Sequence, residues 1–345
     1  MSARHAPESV VADGEVWWIA RVWPGDPAPL EAHRGRCVRG GHLLSDGTIR
    51  LLAPHDDAKL PALGALARRG RVISHRPGKR AVVRLDETFA KAVRSGRGGS
   101  VADAHHRAAA VLSRGFAVPE IASGTSDAVE LTAIPGRTLH EFGADPATSR
   151  DAWLAAWRAW RTAWVETIPS GDGEGLAFHD AGDEARILRE WADRATEAIG
   201  ASGRWTLRDI AGRLVRGVER APSSPARFAH RDLHDKQLLW DDQRGIGIID
   251  LDTCARADPA LDLGNLLAHV ELAVAQGRWA PERADIAAVE IAGAASELGI
   301  AATAVDAWRR AARFRVACVH LLRPPGRRVA HRELVRMLVE ESSDA

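Results

Sequence analysis

The stretch that most constrains this chain is residues 228–262, FAHRDLHDKQLLWDDQRGIGIIDLDTCARADPALD. His230-Arg231-Asp232 opens a loop, and Gln237 closes it five residues after Asp232. Leu238-Leu239-Trp240 reads as a short buried strand, Asp241 to Gly245 as turn chemistry, and Ile246 to Ile249 as the returning strand. Asp250 falls where that strand ends. Such a loop–strand–turn–strand unit holds Asp232 and Gln237 at one end and brings Asp250 back beside them. Residues so placed suit phosphoryl transfer. Asp232 can orient or deprotonate an attacking hydroxyl, while Asp250 and the amide oxygen of Gln237 can ligate Mg²⁺. Taken singly, each Asp reads equally well as a solvated turn or a helix cap. That reading leaves their joint order and spacing unexplained.

HRDLHDKQ resembles the kinase catalytic loop H-x-D-x-x-x-x-N, with Gln237 in place of Asn. IIDLDTCARADPALDLGNLL resembles I-D-F-x…G-D-P-x-x-D-L of the aminoglycoside phosphotransferase and choline-kinase-like group. The spacing from Asp250 to Asp258 and Asp262 fits that group better than protein kinases, and A-P-E and activation-loop signatures are absent. The resemblance implies an α+β, two-lobed, protein-kinase-like fold with a small antiparallel β N-lobe and a helix-rich C-lobe. It also implies ATP and Mg²⁺ as cofactors, and a small-molecule hydroxyl (aminoglycoside, sugar or amino alcohol) as acceptor. Asp232 is then the catalytic carboxylate. Gln237 and Asp250 are metal ligands, joined by Asp252, where choline-kinase-like proteins carry an acid; if the chain is extended there, both Asp side chains share one side. Asp258 and Asp262 organise the loop, Asp262 capping a helix from Leu263. His230, His234 and Asp235 also resemble the ligand set of HD-type metal phosphohydrolases, but those ligands sit on helices, and Gln237 onward reads as strand–turn–strand.

Upstream, residues 71–75, 80–85 and 89–94 read as three strands. Lys91 matches the kinase strand lysine that contacts nucleotide phosphates. The first turn, Arg76-Pro77-Gly78-Lys79, has only one of the expected glycines. The following helix, residues 101–113, has Ser100 as its expected N-cap and Gly115 as its stop, but lacks the family's Glu partner for the lysine; Asp103 and His105 are the substitutes at hand. Residues 129–139 resemble the family's strand and hinge, which places the nucleotide base near Leu131 and Ala133. These departures, with Gln237, keep open a second reading: a degenerate kinase-like nucleotide-binding protein without catalysis.

Residues 1–70 carry no catalytic signature and read as an extension or cap that packs structurally, with an oligomer contact or a substrate-side wall as the alternatives; they show a disordered tip to about residue 12, a strand over 15–23, a hairpin over 42–52 and a short helix near 60–66. Residues 71–133 form the expected N-lobe and 134–345 the helical C-lobe. Trp153, Trp157, Trp160 and Trp164 share one helix face and read as core, with a wall for a bulky substrate as the alternative. Residues 170–175 read as a loop, and helices are expected over 181–199, 206–218, 263–275, 282–298, 303–322 and 331–341. A net charge of +1 gives no drive toward nucleic acid or an anionic membrane. Three scattered cysteines indicate neither a disulfide framework nor a zinc site. With no spanning segment or signal peptide legible, the expected location is the cytoplasm. The oligomeric state is not legible.

Overall fold

The computed structural model describes residues 6–170, 173–199 and 204–343. Alternation of apolar and polar residues builds the sheet nearest the site. β6 (Arg71–Arg76), β7 (Arg80–Arg84) and β8 (Thr88–Val93) form a meander, and β10 (Ala128–Thr132) and β9 (Ile121–Gly124) extend it in the order β6-β7-β8-β10-β9. Side chains alternate across a strand. Ala90 and Ala92 therefore join Val72, Ala81 and Val83 in a core closed by Leu63 and Leu66 of α1 (Leu63–Arg69). Lys91, between them, faces the other side, where α2 (Gly98–Leu112) and the cleft lie.

α2 begins three residues before the expected start. Its N-cap is Arg97, and Ser100 makes no cap bond to the helix amides but donates through Oγ to the Arg97 carbonyl. Gly98 sets this start. Its N–H donates to the Ser126 carbonyl at 2.7 Å, and a Cβ there would come within 1.9 Å of the Thr125 carbonyl oxygen.

The first residues form a second antiparallel sheet: β1 (Ser9–Ala12), β2 (Glu15–Val22), β3 (Ala28–Arg34), β4 (Cys37–Leu43) and β5 (Ile49–Leu51), paired in sequence order. The disordered tip is thus corrected, because residues 9–12 pair with 15–18. The remainder of that tip, residues 1–5, lies outside the described residues, as do residues 171–172 of the expected 170–175 loop. This sheet docks on β6 through a buried carboxylate. Glu31 accepts from Ser74 Oγ (2.9 Å) and the His75 N–H (2.7 Å). His75 in turn accepts the Gly40 N–H on Nδ1 (3.0 Å) and places Nε2 3.0 Å from Asp57.

The helical lobe is nucleated by α4 (Arg150–Ser170). Trp153, Trp157, Trp160 and Trp164 are fully buried, in edge-to-face and stacked contacts with one another and with Trp279. They are core, and no substrate wall. The same hydrophobic core takes in residues of α3 (Leu139–Ala144), α5 (Ala181–Ile199), α6 (Arg204–Arg220), α7 (Ala260–Ala275), α8 (Pro281–Glu297), α9 (Ala302–Leu321) and α10 (Arg327–Ser343). No described helix is long and apolar enough to cross a membrane.

Two small sheets bring the key segments together. β13 (Leu238–Asp241) and β14 (Gly245–Ile248) form the expected hairpin, with β11 (Arg137–Thr138) on the outer edge of β13. β12 (Arg227–Ala229) pairs with β15 (Ala255–Ala257). The loop 230–237 joins β12 to β13, and the loop 249–254 joins β14 to β15. Because both flanking pairs are hydrogen-bonded, the two loops must lie side by side.

Candidate active site

Direct bonds lock the two loops together. The Ile249 N–H donates to the Gln237 carbonyl (3.0 Å), Thr253 Oγ1 donates to the His230 carbonyl (3.0 Å), and His230 Nε2 lies 3.0 Å from the Ile249 carbonyl oxygen. Arg231 and Asp250 both adopt left-handed backbone, at φ +65° and +63°. That conformation is costly for residues other than glycine and needs support from its surroundings. For Arg231 the support is Asp262, which accepts the N–H groups of His230 (2.6 Å) and Arg231 (2.8 Å). Asp262 is not the cap of a helix from Leu263. α7 begins at Ala260, and Asp262 sits fully buried in its first turn, facing the loop. Burial raises its carboxyl pKa above the ordinary value, against the pull of His230. Asn265, one turn further on, donates to the Leu233 carbonyl (2.8 Å) and accepts from Arg315 (2.7 Å). Nothing singled out Asn265 and Arg315 in the sequence beforehand. The i, i+3 placement of Asp262 and Asn265 on one helix face is the signal that was there.

Asp250 lies two residues beyond β14, directly before a 3-10 turn, Leu251–Thr253, that holds Asp252. The backbone there is not extended, yet both carboxylates reach one cation. Lys91 Nζ donates to Asp250 Oδ1 at 2.8 Å and to Asp252 Oδ1 at 2.7 Å. Burial alone would lower the Lys91 pKa, but Asp250 and Asp252 outweigh it and hold it above the usual lysine value. Burial likewise opposes ionisation of Asp250, and Lys91 and then Arg80 overcome it, keeping its carboxyl well below the ordinary range. Arg80 reaches Asp252 at 3.1 Å and Asp250 at 3.8 Å. The lysine's acid partners therefore come from the 249–254 loop. Neither α2 candidate makes a bond to Lys91: His105 Nε2 is 2.7 Å from the Pro119 carbonyl oxygen, and Asp103 is exposed.

Gln237 Nε2 stands 3.5 Å from Asp250 Oδ2 and 3.4 Å from His234 Nε2. Turning the amide over presents its oxygen in the same place. Asp250, Asp252 and Gln237 are oxygen donors of the kind Mg²⁺ takes, with both carboxylates now engaged by Lys91 and Arg80. Asp232 lines the same cavity as Gln237 and Asp250, half-buried, 3.8 Å from His234 Nε2. The ligand set of the phosphohydrolase alternative is not assembled, since His230 is committed to the 249–254 loop and to Asp262. His234 and Asp235 instead gather with His269, whose ring stacks on His234 at 4.6 Å. His140 Nδ1 holds Asp235 at 2.6 Å.

The expected base and phosphate contacts are only partly open. Leu131 lies buried in β10 opposite Phe89, and the Ala133 N–H already donates to the Glu87 carbonyl (3.0 Å). At the β6–β7 turn, the Gly78 N–H donates to Asp57 (2.7 Å) and its carbonyl accepts from Arg94 (2.5 Å). Arg76 and Arg80, flanking that turn, face the cavity instead. The cavity holds about 320 Å³. Its walls include Asp232, Gln237 and Asp250, and also Arg21 and Trp23 from the N-terminal sheet and its edge, and His320 and Arg323 from the end of α9 and beyond. Sequence reasoning missed these four residues.

Solved structures share this fold. The aminoglycoside-3'-phosphotransferase of type VIII superposes with a TM-score of 0.53 at 20% identity, over 74% of this chain and 98% of its own. Aminoglycoside phosphotransferase APH(3'')-Id from Streptomyces rimosus gives 0.50 at 17%, over 74% and 96%. A choline/ethanolamine kinase family protein from Mesorhizobium loti gives 0.50 at 17%, over 82% and 92%. At these identities the likeness is one of fold. No curated protein sequence matches the chain. The model of the APH phosphotransferase enzyme family matches residues 57–315, which include both loops and Lys91. With that match over most of its length, and with the paired loops in place, the chain belongs to the APH phosphotransferase enzyme family.

Proposed function

We propose that the protein is an ATP-dependent kinase that moves the γ-phosphate to a hydroxyl of a small molecule. The observation that carries this is that Lys91 bonds both Asp250 and Asp252, while Asp250, Gln237 and Asp232 line one cavity. Asp232 orients the acceptor hydroxyl and accepts its proton as the oxygen bonds to the γ-phosphorus; the bond to the β–γ bridging oxygen breaks and ADP leaves. Lys91 and Arg80 supply positive charge for the phosphates. Asp250, Asp252 and Gln237 would hold Mg²⁺, which neutralises phosphate charge when bound. Leu131 and Ala133 line the expected base position, with the Ala133 carbonyl better placed than its engaged N–H. In this reading residues 1–70 are an extension walling the site, 71–133 the N-lobe and 134–345 the C-lobe, and the enzyme works in the cytoplasm, where ATP is plentiful.

The test is ADP release across a broad panel of hydroxyl acceptors, for the wild type and Asp232→Ala. The expected loss in Asp232→Ala is about 10²–10⁴-fold in kcat with Mg-ATP affinity retained. Near-normal turnover in that variant would remove Asp232 from the chemistry. Mg-ATP binding without turnover of any acceptor would favour the degenerate binding protein.

A further inference from the structure

Charge on the acceptor side of the cavity is unbalanced. Five cationic side chains line the cavity as a whole: Arg21, Arg76, Arg80, Lys236 and Arg323 face Asp232, Asp235 and Asp250. Two of the three carboxylates are already answered, Asp250 by Lys91 and Asp235 by His140. Arg80 belongs to the nucleotide side through its contacts with Asp250 and Asp252. Arg76 lies over the Trp23 ring, 5.2 Å from its centroid.

That leaves Arg21, Lys236 and Arg323 around Asp232, each from a different part of the chain. Lys236 follows Asp232 on the same loop and is exposed to the cavity. Lys236 and Arg323 make no ion pair among the described residues, and the buried Nε of Arg323 has no hydrogen-bond partner. Arg21 approaches Glu31 at 3.5 Å, but Glu31 is shared with His33, Ser74 and the His75 amide. The crowding shows at Arg323 and the neighbouring His320. Burial and then Arg21 bring the Arg323 guanidinium down to about 10, and burial followed by Arg323 and Lys236 pushes His320 down to about 3. Three crowded cations facing one open carboxylate favour an anion beside them.

We infer that the acceptor alcohol carries an anionic group, a phosphate or a carboxylate, which Arg21, Lys236 and Arg323 bind while its hydroxyl meets Asp232. A polycationic amino sugar would meet these same three cations with Asp232 alone to offset them. Arg21 and Arg323 both lie outside the family-matched residues 57–315. Two of the three cations thus come from outside the family-matched segment, and Lys236 from within it. The inference rests on the kinase reading above.

The kinetic arm compares glucose, glucose 6-phosphate, glucuronate and glucosamine as acceptors, alongside an aminoglycoside. The phosphate and carboxylate members separate the two anion chemistries. The binding arm titrates inorganic phosphate calorimetrically into full-length protein saturated with Mg-ADP. Phosphate is expected to bind the wild type and to bind Arg323→Gln and Lys236→Gln at least about tenfold more weakly, while Arg80→Gln changes it by less than about twofold. Cooperative thermal unfolding of each variant confirms that it folds, and Arg21→Gln is the substitute if Arg323→Gln does not. Among turned-over acceptors, an anionic member is expected to lead its neutral parent by about tenfold or more in kcat/KM. Absence of phosphate binding, equal loss in Arg80→Gln, or preference for the aminated acceptors overturns the inference while leaving the kinase standing. Phosphate binding through Arg323 and Lys236 without turnover of any acceptor upholds the anion site and sinks the kinase.

Discussion

Lys91 is held by acids from across the cleft rather than by its own lobe, and this ties β8 to the 249–254 loop. Its two bonds to Asp250 and Asp252 hold together carboxylates that would otherwise repel. In Lys91→Met only Arg80 remains to offset them. Because both carboxylates are partly exposed, the expected cost is about 1–2 kcal/mol, below that of breaking a fully buried pair. Mg²⁺ alone is then expected to raise Tm more in the variant than in the wild type, since it can replace the lost cation. Equal gains in both, measured by scanning calorimetry against Mg²⁺ concentration, would argue against a metal role for these carboxylates.

Two half-buried histidines set a pH dependence of their own. Unfolded, His320 takes a proton near pH ~6.5; folded, burial and then Arg323 and Lys236 delay this to about 3. Between those values the unfolded chain holds more protons, so stability falls as the pH drops, by at most about 1.4 kcal/mol per pH unit for this group. His269, pushed well below its ordinary value by burial and then His234, acts in the same sense. The depressed carboxylates lose their contribution only below about pH 4. Urea denaturation between pH 6.5 and 4.5 is therefore expected to show falling stability, with a shallower slope in His320→Asn. An identical slope would assign the dependence to other groups.

At the scale of elements, the loops owe their alignment to β12–β15 and β13–β14 together, and their backbone shape to α7. The β13–β14 hairpin was legible because Gly245, at φ +79°, and the apolar runs around it are local signals. The β12–β15 pair was not, because three-residue strands carry too little periodicity to register. The wrong helix start at Leu263 has a similar cause. Asp262 looks like a cap in sequence, whereas Pro259 already opens the helix and frees Asp262 to face the loop. Asp262→Ala leaves two N–H groups without their acceptor and Arg231 without support for its φ of +65°. The expected loss is about 2–4 kcal/mol by urea denaturation, with a kcat deficit that exceeds any change in KM for ATP. Asp262→Asn, which keeps one acceptor oxygen, should fall between. A variant of normal stability with normal kcat would show that the loop holds its shape unaided.

Over the whole molecule, the reach of the N-terminal sheet into the cavity was the least legible feature. A substrate-side wall is one reading of residues 1–70, but no motif marks Arg21 or Trp23 within them, and Arg323 follows only after α9. Their meeting depends on how the first sheet sits on β6, and that depends on Glu31. Burial raises the cost of its charge, but His33, Arg21 and the His75 amide hold it below the ordinary carboxylate range, so it stays ionised among donors. Glu31→Ala would strand the Ser74 hydroxyl and the His75 N–H at a dry junction, at about 2–4 kcal/mol for the two together. It would also release Arg21 from its one carboxylate and let the sheet shift. Lys91, Asp250 and Asp252 make no contact with that junction. The expected outcome in steady-state kinetics is therefore a raised KM for the acceptor with KM for ATP close to wild type, alongside a lowered Tm. If KM for ATP rises in step with that for the acceptor, the first sheet acts as a brace for the whole cleft. If neither KM moves while Tm falls, the sheet stabilises the lobe and its cavity-facing residues play no part in holding the acceptor.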